Sequence, residues 1–272
     1  MTDQHDAAGA PGSPGIFTIV WRRFGPVGTE LALVVALYAL YSIRYPASPG
    51  RYALAMGHAA DIERAERALG INIESSLNAL FVRHHWLADS GSYWYQTTHM
   101  LVTAGVLMWV WRRRKPQYKV MRTALALVML GGLATYWLYP LAPPRFALAG
   151  AVDTMAAHPV LFWGESVTGL ANLYAAMPSL HVAWAFWCAL TVVLLTSSAW
   201  RHLAWLYPLA MMFVVMGTAN HYVLDGVAGA VYATVAVAAS RRVYGMRSRS
   251  SVRIPPEASA AKEPLASGQE RA

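Results

Sequence analysis

The sequence predicts an all-α, polytopic membrane protein: a six-transmembrane-helix bundle with an extracytoplasmic amphipathic helical segment. Three observations lead there. Only 13% of the 272 residues are charged, 56% are hydrophobic and the mean hydropathy is +0.34, whereas roughly a quarter of a soluble domain is charged. The apolar residues collect in runs close to the ~20 residues that span a bilayer. The basic residues punctuate those runs instead of lining one face, so the net charge of +8 marks topology and gives no reason to expect nucleic acid as a partner.

Six runs are expected to be helices, near Val27–Ile43, Tyr93–Trp111, Thr123–Leu141, Ser179–Trp200, Leu203–Ala219 and His221–Ala239. With a cytoplasmic N-terminus, cytoplasmic segments hold 16 of the 22 Lys and Arg residues and the other side holds 6. The positive-inside rule selects that orientation and places both termini in the cytoplasm. Trp86, Trp94, Trp109, Trp111, Trp137, Trp163, Trp200 and Trp205 fall near run ends, where interfacial aromatics sit. Arg22–Arg23 before the first run superficially resembles a twin-arginine signal, but Tyr41 and Arg44 interrupt a small-residue cleavage pattern, so the first helix is expected to stay.

The domain expectation follows from composition. Residues 1–26 and 241–272 read as disordered cytoplasmic termini, the latter basic, and 27–240 as the membrane domain. Between the first two runs, Ile62, Ala65, Leu69, Ile73 and Leu77 recur at spacings of three and four among charges. They predict amphipathic helix lying on the outer surface as a collar or gate, broken in two near Gly70 and Asn72. One cysteine, Cys188, excludes an intramolecular disulfide framework and a cysteine-rich metal site.

An ionisable group within a membrane span is costly and marks function by default. Arg145 follows the third run, His181 opens the fourth, and His221 and Asp225 open the sixth. All four fall at the outer face, which suggests one site there. His221 and Asp225 are four residues apart, so the carboxylate can hold one imidazole proton and leave the other nitrogen free to attack; a structural His–Asp cap explains the pair equally well. Met177-Pro178-Ser179-Leu180-His181 starts a helix, with Pro178 suited to its first position. Its open amides can bind phosphate oxygens, and His181 can protonate a leaving group. Pro143 and Pro144 hold Arg145 rigidly, and its guanidinium fork suits phosphate or a lipid head group.

Pro143-Pro144-Arg145, Pro178-Ser179-Leu180-His181 and Asn220-His221-Tyr222-x-x-Asp225 resemble, in order, the three signature blocks of the type 2 phosphatidic acid phosphatase superfamily. They are most similar to its inositol phosphorylceramide synthase-like branch of inositolphosphotransferases, in which Leu stands where the broad family has Gly. The likeness extends to the residues from Tyr95 to His99 and from Asn172 to Trp184, over roughly residues 30–240. It implies a six-helix core and a lipid phosphatase or phosphotransferase that works through a phosphohistidine with no metal and no cofactor. Carried onto this chain, His221 is the nucleophile, Asp225 its orienting carboxylate, His181 the acid and Arg145 a phosphate ligand.

Two departures matter. The broad first block has Lys where this chain has Leu138, and the broad third block has Ser-Arg where it has Val214-Val215. The pocket lacks two cationic groups, leaving Ser179, Leu180 and Asn220 as further phosphate-binding candidates and Tyr95 and His99 as candidate substrate contacts. Such a pocket suits a singly charged phosphodiester better than a dianion. The expected partners are a lipid-linked phosphate, water or an alcohol as acceptor, and membrane lipids; oligomeric state is not predicted. Transfer of phosphoinositol or a similar head group leads, with phosphatidate or polyprenyl-phosphate hydrolysis next. A transporter is the reading from another class, and a histidine-ligated haem protein lacks a haem motif. Arg makes up 19 of 22 basic residues in an Ala-rich chain, a bias of GC-rich bacteria that makes the plasma membrane the expected location.

Overall fold

The computed structural model describes residues 49–157 and 173–245, together with helical Gly28, Glu30, Ala32, Ala36 and Ala39. Most of the first predicted span and both predicted disordered termini lie outside the described residues. Among those residues the chain is all helical, without a strand. Its helices are α1 (Pro49–Leu69), α2 (Glu74–Arg83), α3 (His85–Arg113), α4 (Lys115–Leu138), α5 (Pro144–Ala147), α6 (Thr154–Ala157), α7 (Leu180–Leu195), α8 (Leu206–Gly217) and α9 (Val223–Val243), with a 3-10 turn over Ala199–Trp205.

The amphipathic segment divides where its sequence breaks. Gly70 adopts a φ of +68°, the left-handed conformation glycine favours, and the Ile71 amide bonds back to the Glu66 carbonyl at 2.9 Å. The fourth and fifth predicted runs give shorter helices than expected. Thr196, in extended conformation, ends α7, and Ser198 caps the 3-10 turn that separates it from α8. This stops α7 five residues before Trp200. The second run lengthens instead, since α3 starts eight residues before Tyr93.

The α7 helix sits at the centre, packed against α9, α8, α3 and α4, while α9 also packs along α4. Trp187, Ala183 and Cys188 of α7 join Met121 and Val128 of α4 and Ala233 and Val237 of α9 in the main core. The Trp187 indole N–H, which burial would otherwise strand, donates to the Met121 carbonyl at 3.1 Å. Close approach of α7 and α9 depends on Gly229. A Cβ there would stand 2.5 Å from the Ser179 carbonyl oxygen and 3.1 Å from the Ala183 nitrogen.

Among the described residues two helices, α4 and α9, are long and apolar enough to cross a membrane. Outside the core, α9 exposes Val227, Val231 and Val235 in one stripe at every fourth residue, and α8 exposes Leu206, Leu209 and Phe213. At the other end of α4, Glu30 pairs with Arg122 and accepts from the Tyr118 hydroxyl at 3.2 Å. This half-buried partner for a basic residue was not anticipated from the sequence.

Candidate functional site

Three connections meet at the start of α7. Leu141, just past α4, takes the Tyr174 carbonyl through its amide at 2.9 Å and forms a parallel bridge with Ala175. The Tyr136 hydroxyl donates to the Pro178 carbonyl at 2.8 Å. The Ser179 amide donates to the Asp225 carbonyl at 3.0 Å, joining the first turns of α7 and α9. Residues from three distant stretches are thereby brought to one end of the bundle.

Ser179 is the N-cap of α7, and its fully buried hydroxyl accepts from the Val182 amide at 3.4 Å. Pro178 therefore lies one residue before the cap, not at the first helical position that its backbone preference suggested. Ser179's oxygen satisfies an internal donor. The amides of Leu180 and His181 meet no acceptor among the described residues and remain the free donors of this helix end.

His221 lies ahead of α9, whose N-cap is Tyr222. Its buried ring places Nδ1 2.8 Å from the Ala176 carbonyl oxygen and 3.4 Å from Asp225 Oδ2. Because a carbonyl can only accept, Nδ1 carries the proton and Nε2 is left as the nitrogen with an open lone pair. The sequence assigned that orientation to Asp225 alone. Instead Ala176 takes the shorter contact, and Asp225 Oδ2 accepts the Tyr222 amide at 2.9 Å, fixing the turn on which His221 rides.

His181 faces this ring at a centroid separation of 6.1 Å. Its position is set by ring contacts: Tyr95 stacks on it at 4.0 Å and His99 meets it edge-on at 4.3 Å. His99 is itself anchored, donating through Nδ1 to the Tyr95 carbonyl at 2.9 Å. The two candidates on α3 are thus brought to His181 as a wall beside it.

Arg145 stands on α5, and its amide donates to the Ala219 carbonyl at 3.0 Å, beside His221 in the chain. Its guanidinium bonds to Asn220 Oδ1, and Nε lies 3.3 Å from Asp153 Oδ2. Asn220 in turn donates to the Thr218 carbonyl at 3.1 Å and hydroxyl at 2.9 Å. Asn220 thus holds Arg145 through its oxygen and directs its amide hydrogens to Thr218. Asp153 was missed in the sequence because its neighbours 148–157 carry no strong pattern; the structure folds that loop back through Asn78, which grips both the amide and the carbonyl of Val152. Among the described residues no group of three His, Cys, Asp or Glu side chains could hold a metal ion.

Two further carboxylates touch the α9 turn. Glu74 Oε1 accepts the Val223 amide at 2.9 Å and Glu66 Oε1 accepts the Leu224 amide at 2.7 Å. Burial pushes the Glu66 carboxyl up to about 8, opposed by the Leu224 amide and reinforced by the Glu74 and Asp225 charges. Neither residue was a candidate from the sequence, where both looked like part of a solvated helix face.

Paired histidines, an arginine and an open helix start at one end of a helical bundle are the setting in which to ask about family. The PAP2 superfamily matches residues 60–239, and the chain belongs to that superfamily of lipid phosphatases and phosphotransferases. It is 27% identical to a phosphoinositol dihydroceramide synthase of Bacteroides thetaiotaomicron, over 55% of this chain and 54% of that protein. The chain therefore matches about half the length of this relative. The crystal structure of Aquifex aeolicus LpxE is similar at a TM-score of 0.45 and 18% identity, covering 63% of this chain and 95% of the other.

Proposed function

We propose that the protein is a membrane phosphotransferase that acts on a lipid-linked phosphodiester through a phosphohistidine at His221, without metal or cofactor, on the extracytoplasmic side of a bacterial plasma membrane. The observation that carries this reading is the Nδ1 contact of His221 with Ala176, which leaves Nε2 unprotonated, with the His181 ring 6.1 Å away. Nε2 attacks phosphorus, the bond from phosphorus to the leaving oxygen breaks, and His181 as imidazolium gives that oxygen its proton. Neutral His181 then takes the proton of the incoming alcohol or water as its oxygen displaces His221. The Leu180 and His181 amides and the Arg145 guanidinium receive the phosphate oxygens. Asp225, 3.4 Å from Nδ1, offsets the positive charge that the ring gains on phosphorylation.

A phosphodiester suits this pocket because Arg145 already shares its charge with Asp153. The named relative supports a phosphoinositol head group and a lipid hydroxyl as the acceptor. Six spans are supported by the exposed valine stripe on α9, the apolar face of α8 and the distribution of basic residues. The test is purified full chain in vesicles carrying head-group-labelled phosphatidylinositol, with and without ceramide or a polyol. Label transferred to the alcohol is expected. Release of inositol phosphate alone would leave a hydrolase, and turnover of phosphatidate or polyprenyl phosphate in its place would replace the substrate.

A further inference from the structure

Three consecutive amides at the start of α9 are each taken by a different carboxylate: Tyr222 by Asp225, Val223 by Glu74 and Leu224 by Glu66. Only the first belongs to the motif that carries His221. The other two come from α2 and α1, 149 and 158 residues away in the chain respectively. We infer that Glu66 and Glu74 are positioning residues, which clamp the collar helices onto the first turn of α9 and so aim His221 at phosphorus. This inference rests on the proposed role of His221.

The arrangement is built and not incidental. Glu66 is fully buried and Glu74 nearly so, on helices whose other acidic residues, Asp61 and Glu63, pair outward with Arg64 and Arg67. Glu66 Oε2 meets no donor among the described residues, and its carboxyl lies against that of Glu74, to which it can donate once protonated. A carboxyl buried beside a second carboxyl carries a cost that a surface glutamate avoids. What it obtains at that position is the Leu224 amide. A raised pKa near 8 fits a Glu66 that is a neutral acid at pH 7, accepting through Oε1 without adding charge beside Glu74.

The clamp also chooses between two helix ends. His181 lies in the first turn of α7 and His221 just ahead of α9, so either helix start could bind an anion beside a histidine. At α9 the three carboxylates occupy them, while at α7 Leu180 and His181 stay open. Phosphate oxygens are directed to α7, so that phosphorus lies between the two imidazoles.

The experiment compares kcat and KM of full-length variants in detergent with bis(4-nitrophenyl) phosphate and with phosphatidylinositol vesicles. The nitrophenolate leaves without acid help, so its release reads the aim of His221 apart from the work of His181. Glu66→Ala and Glu74→Ala should each lose ~10²-fold in kcat on both substrates, the scale of a nucleophile displaced by about 1 Å, with KM within ~3-fold. Glu66→Gln keeps the accepting oxygen and mimics the neutral acid, so it should restore kcat to within ~3-fold of wild type. Asp61→Ala, on the solvent side of the same helix, should change neither constant. Should Glu66→Ala fail to fold, Glu66→Asp asks the same question with its carboxyl drawn back by one methylene, and should still lose over ~10-fold in kcat. Wild-type kcat in both Glu66→Ala and Glu74→Ala, or a loss in Glu66→Gln equal to that in Glu66→Ala, overturns the inference. A His221→Ala variant that stays active overturns the functional reading instead.

Discussion

The Nδ1–H of His221 is donated to the carbonyl of Ala176, 45 residues earlier, at 2.8 Å. A backbone carbonyl cannot be removed by substitution or protonated near neutral pH. The tautomer of His221 is thus set by the fold itself, and Asp225 has a second task in holding the Tyr222 amide.

Replacing the imidazole should remove the proposed attacking atom without disturbing this frame. His221→Ala is expected to lose at least ~10³-fold in kcat while keeping its elution profile and melting temperature within a few degrees. Chelators should leave wild-type turnover unchanged. An active His221→Ala protein, or one inactivated by EDTA, would rule out the phosphohistidine.

His181 is held by rings, with Tyr95 on its face and His99 at its edge. His181→Ala should lose ~10²–10⁴-fold on lipid alkoxide leaving groups and much less on nitrophenyl esters, which need no proton. Equal losses on the two substrate types would show that His181 is not the acid.

Asp153 competes with any bound phosphate for Arg145. Asp153→Asn should lower KM for a dianionic phosphomonoester by ~5-fold, the order of 1 kcal/mol carried by a partly exposed charge contact, and lower it less for a monoanionic diester. The diagnostic quantity is the ratio of the two KM values; an unchanged ratio would mean that the carboxylate does not tune charge selectivity.

At Gly229, an added methyl group would meet the carbonyl of Ser179, which is backbone and cannot swing aside. Gly229→Ala is expected to destabilise by ~1–3 kcal/mol and to widen the separation of α7 and α9. Thermal unfolding followed by circular dichroism would register this, and an unchanged midpoint would contradict the packing described.

Protonation of Glu66 gives a pH signature. Its carboxyl is raised from 4.5 to about 8, so between those values the folded protein holds a proton that the unfolded chain releases. Stability should therefore fall as pH rises through that window and level off above it. Glu74 from α2, with Asp225 and Tyr222 at the start of α9, are the groups facing it. Glu66→Gln should flatten the slope of melting temperature between pH 5 and 8; the same slope in both proteins would place the proton elsewhere.

Legibility in the sequence followed the range of the interactions. The break at Gly70 and, to within two residues, the start of α7 depend on a few adjacent residues, and they were readable. The ends of α7 and α8 were not, because apolarity continues through Trp200 and Leu203 while the backbone turns at Thr196 and Ser198. Among site residues, His221, His181, Asp225 and Arg145 stood out because ionisable groups beside apolar runs are conspicuous. Their supports did not: Ala176 acts through its backbone, and Asp153, Glu66 and Glu74 look like ordinary polar surface until a distant helix arrives.

The amide of Leu224 finds its acceptor on Glu66, 158 residues earlier in the chain. During synthesis the collar must wait, with a buried-type carboxyl still wet, until α9 is made. Closing a loop of that size comes late, after local helices have formed. The site is therefore completed only once α9 has left the ribosome, and a chain stalled before α9 would hold the collar and His221 without the turn that fixes its ring.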